Sequence, residues 1–209
     1  MIDKNLALAL CIACSYLLGN ISPSILIGKA HGIDIKKEGS GNAGTTNALR
    51  VLGKKAALAT LVIDIGKGAC AVLIGKFAEN YYVQQGDSSF TVIFSMACMI
   101  AVFCGHVWPV FFRFKGGKGV ATAFGAVVTF SPALGFSLLG IVALVVLITR
   151  RVSAGSVCAA IAAPLLTYFI YPQAIWGVCL LALIVVIKHR SNIKRLVKGE
   201  EPKLSFSKK

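Results

Sequence analysis

Residues 133–151 read ALGFSLLGIVALVVLITRR, and this stretch decides the class of fold. Positions 133–149 carry no charged side chain, and they approach the run of about 20 apolar residues that a helix needs to cross a bilayer. Arg150 and Arg151 follow directly. An apolar run closed by cations is typical of a membrane-spanning helix that ends at the cytoplasmic surface.

The rest of the chain repeats this pattern. Of its 209 residues 56% are hydrophobic, which is too apolar for an ordinary soluble domain. We therefore predict an all-α integral membrane protein, a single polytopic domain over 1–209 with about seven transmembrane helices, some of them short. Pro132 separates the fourth apolar segment from the fifth, and five or six spans remain alternatives. The apolar segments are 5–28, 56–77, 90–106, 119–131, 133–149, 152–171 and 173–187.

The formal net charge of +14 is distributed over the connections between these segments. Cations that are spread over short loops do not form the continuous basic surface that nucleic acids require, so membrane lipid is the expected partner. With seven spans all four basic regions lie on one side of the membrane. The positive-inside bias makes that side cytoplasmic and places the N-terminus outside and the C-terminus in the cytoplasm. The basic regions are the motif loops 29–55 and 107–118, the pair 150–151 and the tail 188–209.

The first motif, residues 39–50, is rich in glycine and in hydroxyl and amide side chains, and it ends in Arg50. Glycines allow backbone N–H groups to approach an anion closely, and a guanidinium binds phosphate through two parallel hydrogen bonds. The motif also matches G-x-G-x-x-G, but a membrane helix precedes it where a dinucleotide site needs a strand, so we reject that interpretation. The candidate residues of this motif are Ser40, Gly41, Asn42, Gly44, Asn47 and Arg50.

Two further motifs lie at the boundaries of later apolar segments. In the loop 115–119, Lys118 supplies a point charge for phosphate among Gly116, Gly117 and Gly119. In the basic tail, His189 and Asn192 share one face of a helix that continues from the last span. The sequence thus predicts three cytoplasmic motifs that together hold a phosphorylated substrate.

Asp64 and Lys67 form an i, i+3 pair inside the second apolar segment. Charges inside a membrane are costly and usually paired, so the two residues form a structural salt bridge or line the site. The acidic residues are too few and too scattered for an oxygen-ligand cage, and we expect no metal and no cofactor.

Taken together, SGNAGTTNALR (40–50), GHVWPVFFRFKGGKGVAT (105–122) and HRSNIKRLVKGEE (189–201) resemble the bacterial acyl-phosphate:glycerol-3-phosphate acyltransferase family. The resemblance implies a multi-pass enzyme of the bacterial inner membrane, with its active site on the cytoplasmic side. Such an enzyme transfers a fatty acyl group from acyl phosphate to the 1-hydroxyl of glycerol 3-phosphate, giving lysophosphatidic acid and phosphate for phospholipid synthesis. We expect it to act as a monomer. One departure from the family pattern is Thr45, where alanine is more frequent.

The resemblance assigns catalytic roles to Ser40, Arg50, Lys118, His189 and Asn192. It assigns substrate binding to Gly41, Asn42, Gly44, Asn47, Gly116, Gly117 and Gly119. In our mechanistic hypothesis the two cations Arg50 and Lys118 neutralise phosphate oxygens of the two substrates, and Ser40 positions the carbonyl group. Either His189 or a substrate phosphate oxygen takes the proton of the attacking hydroxyl. The alternative function is a transporter or exchanger of organic phosphates, whose site would lie near the bilayer midplane on broken helices.

Overall fold

The computed structural model describes residues 3–87, 89 and 92–204, and all regular secondary structure in this part of the chain is helical, which agrees with the predicted all-α class. Short 3-10 turns follow α5 and α8. The start of the predicted segment 90–106 and the end of the basic tail, 205–209, lie outside the described residues. The helices are α1 Lys4–Gly19, α2 Pro23–Ala30, α3 Thr45–Val51, α4 Lys54–Gln84, α5 Ile93–Val107, α6 Val120–Phe130, α7 Pro132–Thr149, α8 Val152–Ile170, α9 Ile175–Lys188 and α10 Arg190–Val197.

Each predicted apolar segment is helical, but the segments differ in length. Among the described residues, five helical stretches are long and apolar enough to cross a membrane. The pair α9 and α10, which is bent by 59° at His189, makes a sixth if it is counted as one span. Helix α6 has 11 residues and therefore a length of about 16 Å, roughly half the thickness of the hydrocarbon core. The total of seven spans stays a prediction.

The first apolar segment, which we predicted as one helix over 5–28, is broken into α1 and α2. Pro23 occupies the first turn of α2 and has no N–H to donate, and the backbone at 20–22 leaves the helical path. At the end of α1 the Asn20 side chain donates to the Tyr16 carbonyl at 2.6 Å. The carbonyls of Gly19 and Ile21 accept hydrogen bonds from the Lys67 ammonium, at 3.0 and 2.6 Å. These bonds satisfy backbone groups that a membrane interior would otherwise leave without partners.

The helices pack closely through small residues. Gly19 of α1 faces Gly105 of α5, and a Cβ atom on either glycine would lie about 3 Å from the other's Cα. Gly68 of α4 lies against the backbone of α6, and Gly125 of α6 lies against Ile65 of α4. Helix association in membranes depends on such close backbone approach, because lipid tails are as apolar as leucine.

The basic regions gather at one end of the bundle. Lys29 lies 5.4 Å from the ring centre of Phe112, and Lys188 lies 5.7 Å from that of Trp108. Arg151 donates to backbone carbonyls of the tail. At the opposite end of the bundle, Lys4 forms an ion pair with Asp87. The four basic regions therefore share one face, as the charge pattern and the helix order predict.

The packing predicts different costs for two glycines of α4. Gly68→Leu should lower the free energy of unfolding by about 1–3 kcal/mol, because the new side chain overlaps the Thr122 carbonyl and the Ala126 backbone nitrogen. Gly66 has no neighbour within 4 Å of its added Cβ, so Gly66→Leu is the matched control and should not lose stability. Thermal unfolding of both variants in detergent, followed by circular dichroism, measures the difference. Equal melting temperatures would contradict the packing of α4 on α6.

Candidate active site

A cavity of about 680 Å³ opens at the basic end of the bundle and combines a polar mouth with an apolar groove. The mouth is formed by α3, the loop before α6, and the tail. The groove continues between helices α6 to α9. A cavity of this composition fits a ligand with an anionic head and a hydrocarbon chain. Side chains of the groove include Phe124, Val127, Leu138, Leu139, Val142, Ala159, Ala160, Ala163, Val178, Leu181 and Val185.

Most residues that the sequence singles out meet in this cavity. Three others, Gly41, Gly116 and Gly117, do not line it and instead lie where the loops pack together. The predicted residues in the lining are Ser40, Asn42, Gly44, Asn47, Arg50, Lys118, Gly119, His189 and Asn192.

Asn47 organises the first loop. Its Oδ1 atom accepts the N–H of Ser40 at 2.8 Å, and its Nδ2 atom donates to the carbonyls of Ile35 and Glu38, both at 3.1 Å. Gly39 adopts a φ of +60°, and a Cβ atom there would collide with Asn47 Oδ1. The amide of Asn47 therefore holds the loop in the shape that places Ser40 at the cavity. We predicted that Asn47 contacts substrate directly. Both of its amide atoms already make hydrogen bonds within the loop, so a substrate would have to share them.

The second loop closes on the end of α5 and on the first loop. The N–H groups of Gly116 and Gly117 donate to the carbonyls of Val107 and His106, each at 3.2 Å. A Cβ atom on Gly117 would press on the His106 ring and lie 2.8 Å from the Ala43 carbonyl oxygen. The glycines thus permit the close packing from which Lys118 reaches across the mouth and donates to Asn192 Oδ1.

Glu201 is a site residue that sequence reasoning missed. It is buried, and it accepts hydrogen bonds from Ser153 Oγ and Asn192 Nδ2, each at 2.6 Å, and from Arg195 Nε at 2.7 Å. Burial raises the pKa of its carboxyl, but these three hydrogen bonds outweigh burial and hold the pKa below its usual range. The sequence signal that could have identified Glu201 is an acidic residue inside a strongly basic tail.

The two titratable residues at the mouth have unusual protonation behaviour. The pKa of Lys118 is lowered to about 8, mainly by burial; Glu201 raises it, and the positive charges of Arg195 and Arg50 lower it. Burial also lowers the pKa of His189 to about 4. The Nδ1–H of His189 donates to the Val185 carbonyl at 2.8 Å, so Nε2 carries the free lone pair. At neutral pH the mouth holds a lysine cation beside an uncharged imidazole.

Asp64, Lys67 and His106 form a buried cluster below the mouth. Lys67 Nζ lies 2.8 Å from Asp64 Oδ1 and 2.9 Å from His106 Nδ1, and His106 Nδ1 lies 3.3 Å from Asp64 Oδ1. Asp64 and His106 both line the cavity. Of the two alternatives that the sequence left open, the salt bridge is observed, and Asp64, but not Lys67, also lies in the cavity lining. Within the described ranges, no group of three His, Cys, Asp or Glu side chains is arranged to hold a metal ion.

Comparison with known proteins shows extensive similarity. The family model described as glycerol-3-phosphate acyltransferase matches residues 9–199. A glycerol-3-phosphate acyltransferase of Thermoanaerobacter sp. (strain X514) is 44% identical over 193 residues, which cover 91% of this chain and 92% of the relative. The crystal structure of PlsY, an integral membrane glycerol 3-phosphate acyltransferase, in its glycerol 3-phosphate form superimposes with a TM-score of 0.84. Its lysophosphatidic acid form gives a TM-score of 0.80; in both comparisons the identity is 32% and the match covers 95% of this chain and 96% of the other.

The hydrogen bonds of Glu201 predict that it fastens the tail. Glu201→Ala should release Asn192, Ser153 and Arg195 together, and each hydrogen bond to a charged group contributes about 1.5–3 kcal/mol. We expect faster amide hydrogen exchange over α10 and a lower melting temperature. Glu200→Ala removes the exposed neighbouring carboxylate and should change neither. Identical exchange in the two variants would show that Glu201 does not hold the tail.

Proposed function

Because this chain belongs to the glycerol-3-phosphate acyltransferase family, we propose that the cavity at its basic end is where glycerol 3-phosphate is acylated. The product of the reaction is lysophosphatidic acid. The observation that carries the assignment is that one cavity joins a cationic mouth to an apolar groove. The mouth suits phosphate groups, and the groove suits a fatty acyl chain. Glycerol 3-phosphate and the fatty acyl chain can therefore meet where the mouth joins the groove.

Acyl phosphate is the acyl donor in this proposal. Its mixed anhydride bond breaks with inorganic phosphate as leaving group, while the 1-hydroxyl oxygen of glycerol 3-phosphate forms the new ester bond. The mouth carries Arg50 and Lys118, and two cations match two phosphate groups, one on each substrate. Ser40 and the backbone N–H groups of the first loop position the carbonyl group. Transfer is direct, since no activating base adjoins Ser40 in the sequence.

The proton of the attacking hydroxyl passes to a substrate phosphate oxygen. Both candidate acceptors, His189 and a phosphate, are compatible with the sequence. The pKa of about 4 makes neutral His189 a weak base. A phosphate group has its second pKa near 6 and is the stronger base. His189 then acts as a hydrogen-bonding residue of the mouth together with Asn192.

The protein is an integral membrane protein, and we place it in the bacterial inner membrane as a monomer. The basic end faces the cytoplasm by the positive-inside bias, which gives the mouth access to water-soluble glycerol 3-phosphate. A transporter or exchanger of organic phosphates is disfavoured, because its site would lie near the bilayer midplane. Here the motif side chains meet at one end of the helices.

The first experiment follows phosphate release by the purified protein in detergent, with palmitoyl phosphate and glycerol 3-phosphate. A parallel reaction uses palmitoyl-CoA as donor and is scored by lysophosphatidic acid, because its leaving group is CoA and not phosphate; another omits the acceptor. We expect phosphate release that requires both acyl phosphate and the acceptor, with formation of lysophosphatidic acid. Turnover with palmitoyl-CoA alone would overturn the donor assignment, and folded protein without turnover would favour the transporter.

Lys118 and Lys115 provide a matched pair within one loop. Lys118→Ala removes the half-buried cation of the mouth and should lower kcat/KM for glycerol 3-phosphate by about 10- to 100-fold, the value of a hydrogen bond to a charged group. Lys115 is exposed and outside the cavity, so Lys115→Ala should behave as wild type. Steady-state kinetics with varied glycerol 3-phosphate measures both. Wild-type values for Lys118→Ala would exclude Lys118 from the site.

The pKa of Lys118 also predicts a pH dependence. The lysine is charged below about pH 8 and loses its charge as the pH rises through that value, so kcat/KM for glycerol 3-phosphate should fall above pH 8. The guanidinium of Lys118→Arg stays charged above pH 8, so kcat/KM of this variant should not fall in that range. An equal alkaline decline in both proteins would assign the titration to another group.

A further inference from the structure

His106 presents an unused hydrogen-bonding atom at the cavity. The side chain is buried, lines the cavity and lies beside the loop that carries Lys118. Its Nδ1 atom faces Lys67 and Asp64. Its Nε2 atom has no hydrogen-bond partner within residues 3–87, 89 and 92–204. An unpaired polar atom on a buried side chain needs a partner from outside the protein, so such an atom in a site lining points to a ligand.

The cluster around Lys67 fixes which nitrogen of His106 carries the proton. An ammonium group has three protons and accepts no hydrogen bond. Lys67 directs them to the carbonyls of Gly19 and Ile21 and to His106 Nδ1. Asp64 Oδ1, at 2.8 Å, supplies the opposite charge but accepts no hydrogen bond from the described residues. Because Nδ1 accepts from Lys67, the proton of the neutral imidazole resides on Nε2.

Gly117 keeps this N–H group accessible. A Cβ atom on Gly117 would collide with His106 Nε2. The N–H of Gly117 also donates to the His106 backbone carbonyl, which fastens the loop to the end of α5. Lys118, the next residue, lines the same cavity. The Nε2–H group thus lies beside the residue expected to bind phosphate.

We propose that the Nε2–H of His106 donates a hydrogen bond to a negatively charged oxygen of bound substrate, and that Lys67 and Asp64 are positioning residues that fix this tautomer. The inference rests on the proposed function. The oxygen belongs either to a substrate phosphate or to the carbonyl group that becomes negative during transfer. A donor on a phosphate lowers KM for that substrate, whereas a donor on the carbonyl oxygen acts on kcat.

Two variants separate a donor from a structural role. His106→Asn keeps an acceptor near the Nδ1 position for Lys67 but has no group at the Nε2 position. His106→Gln places an amide N–H near the Nε2 position. If His106 donates to substrate, His106→Asn should lose about 10- to 100-fold in kcat/KM, and His106→Gln should retain more activity. His31→Asn alters an exposed histidine outside the cavity and serves as control.

Steady-state kinetics of transfer from palmitoyl phosphate to glycerol 3-phosphate, with melting temperatures, decides between the roles. A KM effect confined to one substrate assigns the oxygen to its phosphate, and a kcat effect assigns it to the carbonyl. Wild-type kinetics in a folded His106→Asn variant would overturn the proposal, as would a folded His106→Gln variant no more active than His106→Asn. Absence of transfer in wild type would reject the proposed function instead.

Nitrogen NMR of the wild-type protein with labelled imidazoles provides a test that needs no variant. The chain has three histidines, so the signals can be assigned with single substitutions. We expect the proton of His106 on Nε2, and a change of its resonance when glycerol 3-phosphate is added. A proton on Nδ1, or a His106 signal unchanged by both glycerol 3-phosphate and palmitoyl phosphate, would overturn the proposal even if the variants fail to fold.

Discussion

The buried ammonium of Lys67 is the interaction on which the rest of the structure depends. A break in a membrane helix exposes backbone carbonyls to a region without water, and each unsatisfied group there is costly. Lys67 donates to two such carbonyls between α1 and α2, and Asp64 on the same helix provides the compensating charge. Removing any one partner would leave a charge or a polar group buried alone, so the members of the cluster depend on one another.

The same cluster connects the fold to the site. Helix α1 can approach α5 at Gly19 and Gly105, and His106 follows immediately and touches Lys67. His106 in turn accepts from the loop that presents Lys118. A contact inside the bundle therefore sets the position of a cation at its end. The cluster is neutral in total when the imidazole is uncharged, so it adds no attraction for anions beyond the mouth.

The sequence predicts the class of fold and the composition of the site well, because both depend on local features. Apolar runs give the helices, and the break at Ser131 and Pro132 follows from the missing N–H of proline. The break at Asn20 was not predicted, although Pro23 was a local signal for it; the hydrogen bonds that stabilise it come from Lys67, which is distant in the chain. Glu201 was missed for a similar reason, because its role appears only when the tail folds back onto Ser153. Gly116 and Gly117 were predicted as substrate ligands because a glycine allows an anion to approach the backbone closely. In the fold, other segments of the protein occupy the space beside these two glycines.

The electrostatics of the mouth link substrate binding to protonation. Burial has the largest lowering effect on the pKa of Lys118; the nearby Glu201 raises this pKa, and the cations Arg195 and Arg50 lower it. A phosphate group bound among them adds negative charge, which favours the charged form of the lysine and raises its pKa. Above about pH 8 a phosphorylated substrate must therefore bind together with a proton. At neutral pH Lys118 is already charged, and a bound phosphate group keeps it charged to higher pH, so that its positive charge can still neutralise phosphate there.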